Sequence, residues 1–101
     1  MAKIQNNKVK YDLEERTLKF AKDVRLFIKT VPKTIANVED IRQLVKSSGS
    51  VGANYIEANE SLSKKDFLMR VKISRKECKE SVYWLRMINL PSEIILLHIY
   101  N

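Results

Sequence analysis

The segment Gln43–Ala58, QLVKSSGSVGANYIEA, most narrows what this chain can become. It sets Ser47, Ser48, Gly49, Ser50 and Gly52 inside an otherwise amphipathic, helix-like pattern. Glycine in a helix interior costs about 1 kcal/mol relative to alanine, and serine there competes for backbone hydrogen bonds. Such residues are best explained by another backbone packed very close against the segment. The pattern therefore implies helix against helix, and says more about architecture than about activity.

Three long periodic segments follow one another. In the first, Leu13, Thr17, Phe20, Val24, Phe27 and Val31 recur at steps of four and three, widened by Ala21 and Ile28. Asp12 reads as its N-cap with Glu15 completing a box, and Pro32 ends it, since the residue before proline disfavours the helical region. The second runs from about Val38 to Asn59 through Ile41, Val45, Ser48, Gly52 and Tyr55. The third opens at Ser63, with Asp66 suited to a first turn, and carries Phe67, Val71, Ser74, Cys78, Ser81, Leu85 and Ile88. Connections this short favour antiparallel neighbours. After Pro91 the tail EIILLHIYN is apolar but brief, so a helix there must dock to persist. The fold class expected is all-α: an up-down antiparallel four-helix bundle with a short or truncated fourth helix, spanning residues 12–101 as one domain behind a basic flexible arm, residues 1–11. Two small-residue saddles, Ser48, Gly49 and Gly52 on the second helix and Ser74, Cys78 and Ser81 on the third, are expected to meet where those helices cross.

Charge supplies the main functional hint. The chain has 101 residues and a net charge of +7. Residues 1–33 hold nine Lys or Arg against four acids, residues 34–62 two against four, and residues 63–89 eight against three. A basic face attracts polyanions, of which nucleic acid is the commonest in cytoplasm; the bland alternative is solubilising charge. Lys22 and Lys29 repeat at seven residues, as do Lys65, Lys72 and Lys79, so each set lies along one helix face. With Arg75 and Lys76 they form the candidate nucleic-acid contacts. No base-reading motif accompanies them, which predicts backbone binding, steep salt dependence and little sequence preference.

Chemistry of other kinds finds little support. His98 is the single histidine, and Ile95 stands three residues before it, which does not fit the Glu-x-x-His pairs of a di-iron bundle. A Cys78–His98 dyad would use a thiol on the expected core stripe, where it acts as a small hydrophobe. The glycines follow no strand, so no phosphate-binding loop is present. Glu57, Glu77 and Glu80 with Asn54 read as a fold-specifying polar cluster, because buried carboxylates must find partners. The expectation is a non-enzymatic protein with no catalytic residues, metal or cofactor, and no small-molecule substrate. No run approaches the roughly 20 apolar residues of a membrane span, the basic N-terminus lacks the apolar core of a secretory signal, and the lone Cys78 suits a reducing compartment. Cytoplasmic location is expected.

Two linked motifs carry a family resemblance. Ser50, Gly52, Ala53, Asn54, Glu57 and Ala58 on the second helix are followed by Asp66 and Phe67 on the third. Lys76, Glu77, Glu80, Ser81, Tyr83, Trp84 and Leu85 then complete the pattern. Over roughly residues 12–90 the chain resembles the small four-helix-bundle proteins of the 23S rRNA intervening-sequence family, named for reading frames within some bacterial 23S rRNA genes. It departs at Ser74 and Cys78, where members usually carry alanine, and in its short fourth helix. The resemblance implies no established enzymatic activity. Members are similar to accessory proteins of retroelements, which are basic, form pentameric rings and bind nucleic acid. By that analogy the implied role is a homo-oligomeric nucleic-acid-binding scaffold. The alternative is a protein–protein adaptor with no nucleic-acid role.

Overall fold

A computed structural model describes the backbone of residues 7–88 and the side chains of residues 12–88. The expected fourth helix after Pro91, His98 and the first six residues of the arm lie outside the described residues. The described part is all helix: α1 (Asn7–Ile28), α2 (Ile35–Asn59) and α3 (Lys64–Met87). Helix α1 begins five residues before the cap expected at Asp12, because neither glycine nor proline interrupts the chain between Asn7 and Asp12. Residues 7–11, expected to belong to the flexible arm, are thus helical.

Helix α2 also starts early. Thr34 holds an extended backbone and its side chain accepts a hydrogen bond from the Asn37 amide, satisfying one of the orphan donors of the first turn. Buried Asn37 turns back and donates through Nδ2 to the Pro32 carbonyl at 2.9 Å, pinning the α1–α2 connection. Ser63 caps α3 in the expected way, its side chain accepting from the Asp66 amide. At the other end of α3 the chain leaves the helix at Ile88 in extended conformation.

Successive helices run antiparallel, and α2 is the central one. Along the α2–α3 seam, Ser47 meets Ser81, Val51 meets Ser74 and Asn54 meets Arg70. Along the α1–α2 seam, Gly52 faces Thr17 and Asn59 hydrogen-bonds Glu14. No Cα of α1 comes within 8 Å of a Cα of α3. Their side chains still share a core around Val24, Val31, Leu44 and Ile88, against which Phe20, Phe27, Trp84 and Leu85 pack. Leu44 is fully buried there, a burial worth about 2 kcal/mol relative to exposure. This core holds the α1–α2 connection and the exit of α3 together, and so fixes the outward faces of the two basic helices.

Candidate nucleic-acid interface

The small residues decide how α3 is oriented. Ser74 donates to the Val51 carbonyl at 2.7 Å, and the hydroxyls of Ser47 and Ser81 share a hydrogen bond of 2.9 Å. Ser48, Ser74 and Ser81 are buried. These contacts turn the Ser74–Ser81 side of α3 onto α2 and leave the opposite side in solvent.

The expected saddle divides into two. Gly52 does not meet α3; a Cβ placed on it would come 2.9 Å from Thr17 Oγ1 and 3.2 Å from Thr17 Cβ, on α1. Gly49 also opens toward α1, where a Cβ would meet only Arg25 Nη2 at 3.9 Å. Positions 51 and 52 are one residue apart and point about 100° apart on the helix, so the first serves α3 and the second α1. Cys78, expected in the same contact, is exposed. It is four residues from Ser74, a turn of about 40° beyond the packing face, and α2 does not reach that flank.

The polar cluster divides as well. Arg70 links Asn54 and Glu57, donating to Asn54 Oδ1 at 3.3 Å and standing 3.0 Å from Glu57 Oε2. Glu77 and Glu80 lie elsewhere, lining a surface recess with Gln43, Lys46, Ser47 and Lys76. Seven residues of helix, about 10.5 Å, separate Arg70 from Glu77, so the four residues form no single buried group. Arg70 was missed by sequence reasoning; its signal is its place opposite Asn54 in the antiparallel register. Among the described residues, no group of three or more His, Cys, Asp or Glu side chains is placed to hold a metal ion.

The basic residues occupy two surfaces. Lys65, Lys72, Arg75, Lys76 and Lys79 are exposed on α3, and so is Arg86. Lys65, Lys72, Lys79 and Arg86 repeat at seven residues, which stacks them along one face over about 31 Å. Tyr83, about half exposed, stands on the same side with its ring 4.9 Å from that of Trp84 in an edge-on arrangement. Lys22 and Lys29 are exposed on α1, where Lys22 borders a groove shared with α2. That groove lies on the Gly49–Gly52 side of α2, away from the Ser47–Val51 side that holds α3. The structure therefore does not bring the α1 and α3 cations onto one surface.

Other charges are spent locally. Arg16–Asp12 and Lys19–Asp23 are pairs within α1, and Arg42–Glu39 is one within α2. Exposed pairs of this kind contribute little stability. Among the described residues, none of Lys22, Lys29, Lys65, Lys72, Arg75, Lys76 or Lys79 has a carboxylate within 4.0 Å. No helix of the described residues is long and apolar enough to cross a membrane.

The sequence pattern described for the 23S rRNA-intervening sequence protein family matches residues 10–91, most of the chain, and the chain belongs to that family. No curated protein and no solved structure shows a significant match.

Proposed function

We propose that this family member is a non-enzymatic, basic helical scaffold that self-associates and binds the backbone of RNA or DNA in the cytoplasm. The observation that carries this reading is the outer face of α3, where Lys65, Lys72, Lys79 and Arg86 stand in line and exposed. Uncommitted cations in a row neutralise phosphates and release counterions, a driving force that needs no base contact. Asp66 and Glu80 stand off the row: each follows Lys65 or Lys79 by one residue and is turned from it by about 100°, and Glu80 lines the recess that also holds Lys46. The exposed Tyr83 ring adds a surface on which an unpaired base can stack. Self-association joins several such rows and raises avidity without new contacts.

The reading includes a bundle completed by a short fourth helix from Pro91 onward. Its support is the gap between the α1 and α3 backbones, which leaves Phe20, Phe27, Val71 and Leu85 only partly buried.

The test is a triple reversal, Lys65→Glu, Lys72→Glu and Lys79→Glu, titrated against mixed-sequence RNA and DNA over a salt series. The expected result is a loss of about 100-fold or more in affinity, with the slope of log affinity against log salt reduced by about two to three. Equal affinity and slope for the reversed protein would contradict nucleic-acid binding through α3 and favour a protein adaptor.

A further inference from the structure

The outer face of α3 holds more than cations. Lys65, Met69 and Lys72 follow one another at steps of four and three residues, and Lys79, Tyr83 and Arg86 repeat those steps fourteen residues later. Fourteen residues turn a helix through almost four full revolutions, so the two triads share one side, about 21 Å apart. All six side chains are exposed, Met69 by 47% and Tyr83 by 55%. Each triad is an apolar side chain with a cation about one turn before it and another about one turn after.

We infer that this face holds an unpaired polynucleotide strand, with one base stacked on Tyr83, a second on Met69, and the adjoining phosphates on the flanking cations. The inference rests on the nucleic-acid component of the reading above and adds the form of nucleic acid that the face selects.

The cations of the two triads are left uncommitted along the helix. No Asp or Glu stands three or four residues from Lys65, Lys72, Lys79 or Arg86, whereas α1 pairs Arg16 with Asp12 and Lys19 with Asp23 at that spacing. A helix face that is merely solvated gains from such pairs. The apolar groups are also interleaved with the charges. A helix that lies on a membrane gathers its apolar residues on one face and its cations on the other, but Met69 and Tyr83 stand in line with the cations. That alternation matches a polynucleotide strand, in which bases and phosphates alternate. Tyr83 is also held in place. Its ring meets that of Trp84 edge-on at 4.9 Å, and Trp84 packs against the core, so little side-chain freedom is left to lose on binding.

Charge gives the strand a side as well. Asp66 and Glu80 occupy the same place in the two triads, one residue after the first cation, and repel phosphate along that flank. On the other flank Leu68, Arg75 and Val82 recur at seven residues, all exposed, and Arg75 adds a cation midway between the triads. The phosphates therefore run on the Arg75 side. In a duplex the faces of each base are covered by its neighbours, so stacking on Tyr83 or Met69 is open to an unpaired strand alone. A duplex meets only the cations.

The experiment is a binding titration at fixed salt with an oligouridine strand and an RNA duplex of equal length, repeated with oligothymidine and a DNA duplex. Wild type, Tyr83→Ala, Tyr83→Phe and Met69→Tyr are compared at matched helical content by circular dichroism. Tyr83→Ala is expected to weaken binding of the single strands about tenfold or more and of the duplexes less than about threefold. Tyr83→Phe, which keeps the ring, is expected to stay within about twofold of wild type on every probe. Met69→Tyr sets a larger platform at an exposed position and is expected to tighten the single strands about threefold or more, with the duplexes unchanged. Equal changes on strand and duplex, or none on either, overturn the stacking sites and leave backbone binding through α3 standing. Uptake of vesicles of anionic phospholipid, with no uptake of any oligonucleotide, overturns the inference and assigns the face to a lipid surface. A chain that binds no oligonucleotide at low salt overturns the reading beneath it too, which the triple reversal of Lys65, Lys72 and Lys79 tests on its own.

Discussion

Helix α2 meets its two neighbours by different means. Toward α3 it presents hydroxyls: Ser47 bonds Ser81, and the Val51 carbonyl receives Ser74. Toward α1 it presents the bare backbone of Gly52 against the side chain of Thr17, which is itself tied to the Leu13 carbonyl at 2.9 Å and the Glu14 carbonyl at 3.0 Å. Both seams bring helices close, but the first fixes position through directional bonds and the second through exclusion of volume. The Ser47–Ser81 part of the hydroxyl seam tolerates the loss of its shared bond, because each oxygen has a second partner: the Leu44 carbonyl at 3.3 Å for Ser47 and the Glu77 carbonyl at 2.9 Å for Ser81. A glycine seam is less tolerant of an added atom, because a Cβ at Gly52 would come 2.9 Å from Thr17 Oγ1 and force Thr17 or the helix to shift.

That contrast sets an order of effects. Gly52→Leu, the harshest change, is expected to remove about 3 kcal/mol or more of stability through overpacking against Thr17, read as a large drop in the thermal midpoint at fixed protein concentration. An unchanged midpoint would mean that α1 does not sit on Gly52. In the hydroxyl seam, Ser74→Ala and Ser81→Ala are each expected to cost about 1 kcal/mol, measured by denaturant titration with an unaltered slope. Losses as large as that of Gly52→Leu would show the α3 seam to be the less tolerant one. The smallest effect should be Gly49→Ala, with the opposite sign: a gain of up to about 1 kcal/mol in helix stability at concentrations where the chain is monomeric. A loss there would place an intramolecular neighbour over Gly49.

Much of the fold was legible in the sequence, and the failures have identifiable causes. Three amphipathic periods in a row gave the helices and their order, and Ser63 with Asp66 marked the start of α3 because both side-chain and backbone signals coincide there. The starts of α1 and α2 were placed too late. The Asp12–Glu15 signature lies within a helix that has no reason to begin there, and Thr34 caps α2 ahead of its first clearly apolar repeat. The small-residue run correctly signalled close packing, yet residue type does not say which neighbour approaches. A single residue step turns the side chain by about 100°, which assigned Gly52 to α1 rather than to α3. Cys78 followed the same logic: it joined the stripe by spacing and left it by angle.

The candidate interface was legible in part. The seven-residue repeat of Lys65, Lys72 and Lys79 needed only a straight helix, and α3 supplies one through Met87. That Lys22 opens onto a different side of the molecule depended on where α1 crosses α2, a tertiary fact with no local signal. Arg70, which gathers Asn54 and Glu57, likewise became visible only with the antiparallel register.

The most direct test of a self-associating, backbone-binding scaffold is the light-scattering mass of the purified chain at low and at moderate salt, each with and without a short mixed-sequence RNA. The account predicts a multimeric particle that takes up RNA at low salt and releases it as salt rises, while the protein assembly itself persists. A particle whose mass is indifferent to RNA and DNA at every salt concentration would contradict it and reduce the row of cations on α3 to solvation.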